Sequence, residues 1–197
     1  RRDGTDSERT VFFDVKCSMA LEEVIVESGG IPKMVRTGHS FMKKELRNNP
    51  DSPLAGEMSG HFFLRDRWPG FDCSLYNTAR LLEMIGRDPA PDQGGPKFSE
   101  RFARMPDYPS TDETKIPLIG GREETMATVE QAFADMEKST VDGIRVRYPD
   151  GWYLCRPSNT EPILVMRAEG RNQESLKSII EDVNSRIGNI LDLSELS

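Results

Sequence analysis

A carboxylate, a hydroxyl and an imidazole stand at positions 57, 59 and 61 of this chain, in Gly56-Glu57-Met58-Ser59-Gly60-His61 with apolar residues on either side. In extended backbone alternate side chains share one side, so Glu57, Ser59 and His61 are expected to converge on one ligand. The glycines let backbone and ligand approach closely. Such a set suits a polyhydroxylated ligand: Glu57 accepts two hydrogen bonds, Ser59 donates and accepts, and His61 does either. The same pattern fits a buried strand interrupted by a polar bulge. A second polar stretch, Arg156-Pro157-Ser158-Asn159-Thr160-Glu161-Pro162, lies between two apolar runs. Arg156 suits bidentate phosphate binding, and the Ser158 and Thr160 hydroxyls, the Asn159 amide and free backbone N–H groups complete a cradle. Prolines stiffen it at both ends. Pro, Ser and Asn also dominate plain turns.

The chain has two histidines, His39 and His61, each in a glycine-flanked polar segment after an apolar one. They lack metal-ligand spacing, so no zinc site is expected. Lys16 follows Phe13-Asp14-Val15 at the end of the first strand-like run, where parallel sheets hold ligands; taken alone it reads as a solvated surface lysine. The charge runs Lys43-Lys44-Glu45 and Arg122-Glu123-Glu124 read as solvated helix faces.

Alternating elements must position these groups. Residues 10–15 read as a buried strand, and Ser18 caps a helix from Met19 to Glu27 that Gly29-Gly30 ends. Residues 31–35 form a second strand, and Ser40 is expected to cap a helix over 41–48. A longer helix over 74–85 carries Leu75, Ala79, Leu82 and Ile85 on one face. This alternation implies parallel βαβ units. Ten prolines and glycines crowd residues 89–121, which reads as a linker with a short helix near 98–104. Beyond it come a helix over 123–138, a half-exposed strand over 144–148, a Pro149-Asp150-Gly151 turn, strands over 152–155 and 163–166, and a helix carrying Leu176, Ile179, Ile180, Val183 and Ile187. The expected organisation is a polar tail (1–9), a three-layer α/β domain with a mixed sheet (10–88), a linker or hinge (89–121), and a small α+β domain of sheet flanked by helices (122–197).

The net charge of −7 over 197 residues argues against a nucleic-acid or anionic-membrane binder. No apolar run approaches the ~20 residues that span a bilayer. Three cysteines without a CxxC pair fit a reducing, cytoplasmic setting better than a disulfide frame. The chain starts without Met, in a polar run, and is expected to be part of a longer protein.

Asp14-Val15-Lys16-Cys17-Ser18, Arg36-Thr37-Gly38-His39-Ser40, the 56–61 stretch and the 156–162 stretch together, in this order and spacing, resemble the α-D-phosphohexomutase superfamily, specifically its bacterial phosphomannomutase/phosphoglucomutase branch. The resemblance covers nearly the whole chain and corresponds to the third and fourth of the family's four domains. It implies a sugar-binding loop at 56–61 and a phosphate-binding loop at 156–162. Lys16, His39, Glu57, Ser59, His61, Arg156, Ser158, Asn159 and Thr160 would bind substrate, a hexose phosphate. The family's phosphoserine loop (Ser-His-Asn-Pro type) and its Asp-Gly-Asp-x-Asp-Arg magnesium loop are absent from the 197 residues. Neither catalytic nor metal residues are therefore expected here. Magnesium and glucose 1,6-bisphosphate, or its mannose equivalent, would belong to the whole enzyme, and the family's N-terminal domains would be the partners. Alternatives are a phosphoglucosamine mutase, in which Gln would be expected where Met58 stands, a non-catalytic phosphosugar-binding module, and, for residues 122–190 alone, a nucleic-acid-binding α+β domain.

Overall fold

The computed structural model describes residues 5–103, 105–118, 120–158, 160–193 and 196. The chain divides into two compact units, residues 1–107 and 108–197.

In the first unit a single-turn helix α1 (Asp6–Arg9) leads into β1 (Thr10–Asp14), followed by α2 (Met19–Glu27), β2 (Ile31–Val35), α3 (His39–Asn48), β3 (Leu54–Gly56), β4 (Phe62–Leu64) and α4 (Ser74–Ile85). The sheet order is β2-β1-β3-β4. β1 runs parallel to β2 and β3, while β4 returns antiparallel on β3. Neighbouring residues of β1 face opposite sides. Phe12 packs with Met42 and Leu46 of α3, and Phe13 with Cys17 and with Ile25 of α2. That alternation makes three layers around a mixed sheet, as expected. Ser18 caps α2, its Oγ accepting from the Ala20 N–H at 3.0 Å.

Two expectations for this unit need correction. α3 begins at His39, with Gly38 rather than Ser40 at its cap. Gly38 sits at φ +132°, which glycine alone adopts freely, and its N–H is turned to a side chain elsewhere. The face of α4 bearing Leu75, Ala79, Leu82 and Ile85 has the right period but does not enter the core: Leu75 is 82% and Leu82 62% exposed. Polar residues hold the inward side instead. Asn77 donates to the Phe62 carbonyl at 3.0 Å, and Arg80 pairs with Asp66.

Residues 89–121, expected as a linker, are heterogeneous. Two single 3-10 turns occupy Pro91–Gln93 and Ser99–Arg101. β5 (Thr114–Pro117) already belongs to the second sheet, pairing antiparallel with β9 from Thr114↔Met166 to Pro117↔Ile163. Upstream, the Thr111 N–H donates to the Ala168 carbonyl and the Gly170 N–H to that of Pro109. The proline at the strand's end masks this signal. An edge strand tolerates Pro, whose missing N–H it does not need.

The second unit continues with α5 (Arg122–Ala132), β6 (Lys138–Ser139), β7 (Ile144–Tyr148), β8 (Gly151–Pro157), β9 (Ile163–Gly170) and α6 (Gln173–Ile187). Its antiparallel sheet has the order β5-β9-β8-β7-β6. α5 stops at Ala132, short of 138, because Lys138 must be extended to pair with Val146. Leu176, Ile179, Val183 and Ile187 of α6 are buried against Val146, Tyr153, Cys155, Leu164 and Met166. The other side of β7 is less open than its Arg–apolar alternation suggests. Arg145 is buried, its guanidinium stacked 4.1 Å from the Trp152 ring centroid. Among the described residues no helix is long and apolar enough to cross a membrane, and the three cysteines are free thiols.

This core is expected to be sensitive to alkali. Burial pushes the Cys155 thiol from 9.0 up to about 12. Burial also raises the Tyr153 phenol and, together with the Asp182 carboxylate 2.7 Å away, that of Tyr148 above their ordinary 10.0. Groups raised in the folded state stay neutral there while the unfolded chain ionises. Their stabilisation is complete below the unfolded values of 9.0–10.0 and is lost as pH climbs toward the folded ones. Each such group changes stability by up to ~1.4 kcal/mol per pH unit over that window. The urea midpoint of the second unit, followed by Trp152 fluorescence with Trp68 replaced by Phe, is expected to fall steeply above about pH 9. A flat profile to pH 11 would contradict it.

Candidate functional site

In the first unit one buried carboxylate organises three loops. Asp14, at the C-terminal end of β1, has no exposed surface. Its Oδ1 accepts from the Cys17 thiol at 3.0 Å and from the Met58 N–H at 3.3 Å, and its Oδ2 accepts from the Thr37 hydroxyl at 3.2 Å. The loop after β1 (with Lys16), the Thr37-Gly38-His39 turn and the 57–61 stretch thus hang on a single side chain. Lys16 is half-buried, two residues from this anchor.

The 57–61 stretch is a hairpin turn between β3 and β4, not the extended backbone expected from its alternation. The Glu57 N–H donates to the His61 carbonyl at 2.9 Å, the Gly60 N–H donates to the Glu57 carbonyl at 3.0 Å, and Gly60 adopts φ +88°. Three residues with paired flanks close more tightly as a turn than as a strand with a bulge. Convergence is achieved all the same. Glu57 is buried, its Oε1 accepting from the Gly38 N–H at 3.0 Å and its Oε2 from the Ser59 hydroxyl at 3.1 Å. The Gly38 contact draws the start of α3 to the turn, and the rings of His39 and His61 lie 6.3 Å apart. Ser59, His39 and His61 are exposed around the buried carboxylate. The result is a polar surface with spare acceptor lone pairs on Glu57, a hydroxyl and two imidazoles, suited to sugar hydroxyls and a phosphate.

Two residues at this surface escaped sequence reasoning. Asp72 Oδ2 lies 3.1 Å from His61 Nδ1, and its Oδ1 lies 3.4 Å from Lys43 Nζ. Desolvation raises the Asp72 carboxyl, but its own backbone N–H, Lys43 and His61 outweigh that and hold it below its ordinary value. Nothing near Asp72 in sequence signals either contact.

In the second unit Arg156 closes β8. Its side chain and that of Asp142 are 7% and 3% exposed, with Nε 2.8 Å from Asp142 Oδ2. Among the described residues Asp142 is the only hydrogen-bond partner of that guanidinium, which leaves the two terminal nitrogens for a bidentate ligand. Gly143 makes the pair possible. At φ +74° it lies so close to β8 that a Cβ there would come within 2.3 Å of the Cys155 carbonyl oxygen. Asp142-Gly143 reads as an ordinary turn in the sequence, which is why Asp142 was missed. Ser158 is buried, and its Oγ accepts from the N–H groups of Thr160 at 3.3 Å and Glu161 at 3.2 Å. The loop is therefore a serine-stapled turn between β8 and β9, with Thr160 exposed on it. Asn159, also expected in the cradle, lies outside the described residues. Among the described residues no three His, Cys, Asp or Glu side chains gather as metal ligands.

Sequence models of known families match both units. One described as phosphoglucomutase/phosphomannomutase, alpha/beta/alpha domain III, matches residues 1–108, and one described as phosphoglucomutase/phosphomannomutase, C-terminal domain, matches residues 118–185. A phosphomannomutase/phosphoglucomutase of Pseudomonas syringae pv. tomato is 42% identical over 174 residues, covering 86% of this chain and 36% of that protein. A phosphoglucomutase of Neisseria gonorrhoeae is 41% identical with the same coverage. A crystal structure of a phosphoglucomutase/phosphomannomutase family protein from Burkholderia thailandensis superposes with a TM-score of 0.77 at 35% identity, over 93% of this chain and 41% of that one. The chain thus spans about 36% of the length of these curated relatives. With both units matched, the chain belongs to the phosphoglucomutase/phosphomannomutase family, in the region of its third and C-terminal domains.

Proposed function

We propose that this chain carries the sugar-binding and phosphate-binding loops of a phosphohexomutase that interconverts hexose 1-phosphates and hexose 6-phosphates. The observation that carries the proposal is the Glu57 carboxylate, buried and aimed by the Gly38 N–H and the Ser59 hydroxyl, at the centre of a surface bearing two imidazoles. Glu57 and Ser59 grip two adjacent ring hydroxyls, at C3 and C4. Those hydroxyls look alike in the two orientations that a sugar must adopt if a phosphoryl group is delivered first to one end and then taken from the other, through a 1,6-bisphosphate. Glucose and mannose differ at C2, so this grip tolerates both. Arg156, Ser158, Asn159 and Thr160 hold the phosphate that is not reacting, and Lys16, His39 and His61 contact the sugar and its phosphate. Positioning and charge stabilisation supply most of the catalysis in phosphoryl transfer. The phosphoserine, the magnesium and the partner domains belong to the whole enzyme in the cytoplasm, so this chain alone binds without isomerising.

Titration of the 197-residue chain with glucose 1-phosphate, mannose 1-phosphate and glucose 1,6-bisphosphate, followed by NMR amide shifts, tests it. Shifts are expected in the 57–61 and 156–160 loops, at similar concentrations for the two hexoses. Glu57→Gln is expected to weaken binding by about tenfold or more, the worth of a charged acceptor serving hydroxyl donors. Wild-type affinity in that variant would sink the sugar-grip assignment.

A further inference from the structure

We infer that Asp72 is a positioning residue for His61: it fixes the ring proton on Nδ1 and so presents Nε2 as an acceptor to a sugar hydroxyl, with Lys43 holding Asp72 ionised. The inference rests on the sugar-binding role proposed above for the 57–61 turn and assigns that role an atom. His61 Nδ1 faces Asp72 Oδ2 at 3.1 Å. An unprotonated Nδ1 would set its lone pair against a carboxylate oxygen, whereas a protonated one is attracted to it. Lys43 Nζ stands 3.4 Å from the other oxygen, Oδ1. A carboxylate between an ammonium and an imidazole stays the proton-free member of the three, so the proton remains on the ring. With Nδ1 occupied, the neutral imidazole has one acceptor, Nε2, on the opposite edge of the ring.

The arrangement is built from separate elements. Lys43 is on α3, His61 ends the β3–β4 turn, and Asp72 lies two residues before α4. Lys43 lies one helical turn beyond His39, on the helix whose start Glu57 draws to the same turn. The Lys43–Asp72–His61 series therefore braces the turn at His61, whereas Asp14 holds it at Met58. The side chains of His61, Asp72 and Lys43 are 48%, 25% and 36% exposed. Solvent screens such contacts, so the effect expected on affinity is modest, while the effect on tautomer is direct.

The two histidines make the test simple, since only two ring patterns occur in a long-range 1H–15N correlation spectrum. At about pH 9, well above the ordinary imidazole value of about 6.5, His61 of the wild-type chain is expected to be mainly the Nδ1–H tautomer. Asp72→Ala is expected to shift it toward Nε2–H and leave the His39 pattern unchanged. Asp72→Asn keeps an acceptor oxygen and is expected to retain much of the Nδ1–H form, a rescue that a purely structural role would not show. Lys43→Met is expected to move the ratio in the same direction as Asp72→Ala, by less. Affinity for glucose 1-phosphate is expected to fall about two- to fivefold in Asp72→Ala. Nε2–H in the wild type, or an unchanged tautomer in Asp72→Ala, would overturn the proton placement. Nδ1–H with no response of the wild type to any hexose phosphate would overturn the sugar-binding role and leave the proton placement standing.

Discussion

Arg156→Ala is expected to lower the stability of the second unit by about 3–5 kcal/mol and to abolish phosphosugar binding. The size follows from burial. With 7% and 3% of the two side chains exposed and 2.8 Å between Nε and Oδ2, neither charge retains its water. Removing the guanidinium takes this ion pair from the buried Asp142 carboxylate, and losing it there is the dominant cost. Asp142→Ala strands Arg156 instead and is expected to cost less, because a long side chain can turn its head toward solvent. The double variant Arg156→Met, Asp142→Leu replaces both charges by apolar groups of similar size and is expected to recover most of the stability. Under the phosphate-binding role proposed for Arg156, it is expected to recover none of the binding. Urea denaturation of wild type, Arg156→Met, Asp142→Leu and the double variant, closed as a double-mutant cycle, separates the structural from the recognition role. A single Arg156→Ala within 1 kcal/mol of wild type would show that the pair is not a buried one. Arg156→Lys is not conservative here, since one ammonium cannot hold Asp142 and offer a planar fork to phosphate together.

Asp14→Ala carries the second large effect. Its carboxylate accepts from the Cys17 thiol, the Thr37 hydroxyl and the Met58 N–H, and hydrogen bonds to a charged acceptor contribute ~1.5–3 kcal/mol each when removed singly. They share one acceptor and are not additive, so a loss of about 3–4 kcal/mol is expected. The readout particular to this residue is local. The Met58 amide, protected in the wild type, is expected to exchange with solvent at a rate set by loop opening rather than global unfolding. The expected effect on sugar binding is as large as that of Glu57→Gln, although Asp14 is fully buried. Asp14→Asn keeps one acceptor oxygen and is expected to lose about half as much. Unchanged exchange at Met58 in Asp14→Ala would refute the anchoring role.

Local signals were readable in the sequence, and long-range ones were not. α2 lies at its expected bounds because a serine cap and a glycine pair mark its ends within the segment itself. The buried stripe of α6 follows its period for the same reason. The period of α4 was equally clear, yet its leucines face out, because periodicity says that a face exists and not what meets it. The 57–61 residues were identifiable by type, but their alternation pointed to a strand where flanking β3 and β4 pair and force a turn. Asp72 and Asp142 were invisible for a different reason. Each acquires its place only when a partner 11 or 14 positions away is folded against it. Asp14 lies in the Asp14–Ser18 motif, but only the register of β1 between β2 and β3 makes it the meeting point of three loops.

The outward leucines of α4 bear on the behaviour of the chain in concentrated solution. Leu75, Leu82 and Met84 put wide apolar surface in water on a single helix. What opposes their meeting on neighbouring molecules is the mutual repulsion of chains each carrying a net charge of −7. That repulsion acts over a Debye length, ~8 Å at physiological ionic strength and shorter as salt is added, whereas apolar attraction is not screened and strengthens with sulfate or phosphate. Colloidal stability of this chain is thus expected to be a contest decided by the buffer: dilute monovalent salt favours separate molecules, and a precipitating anion favours contact between exposed apolar surfaces such as that of α4.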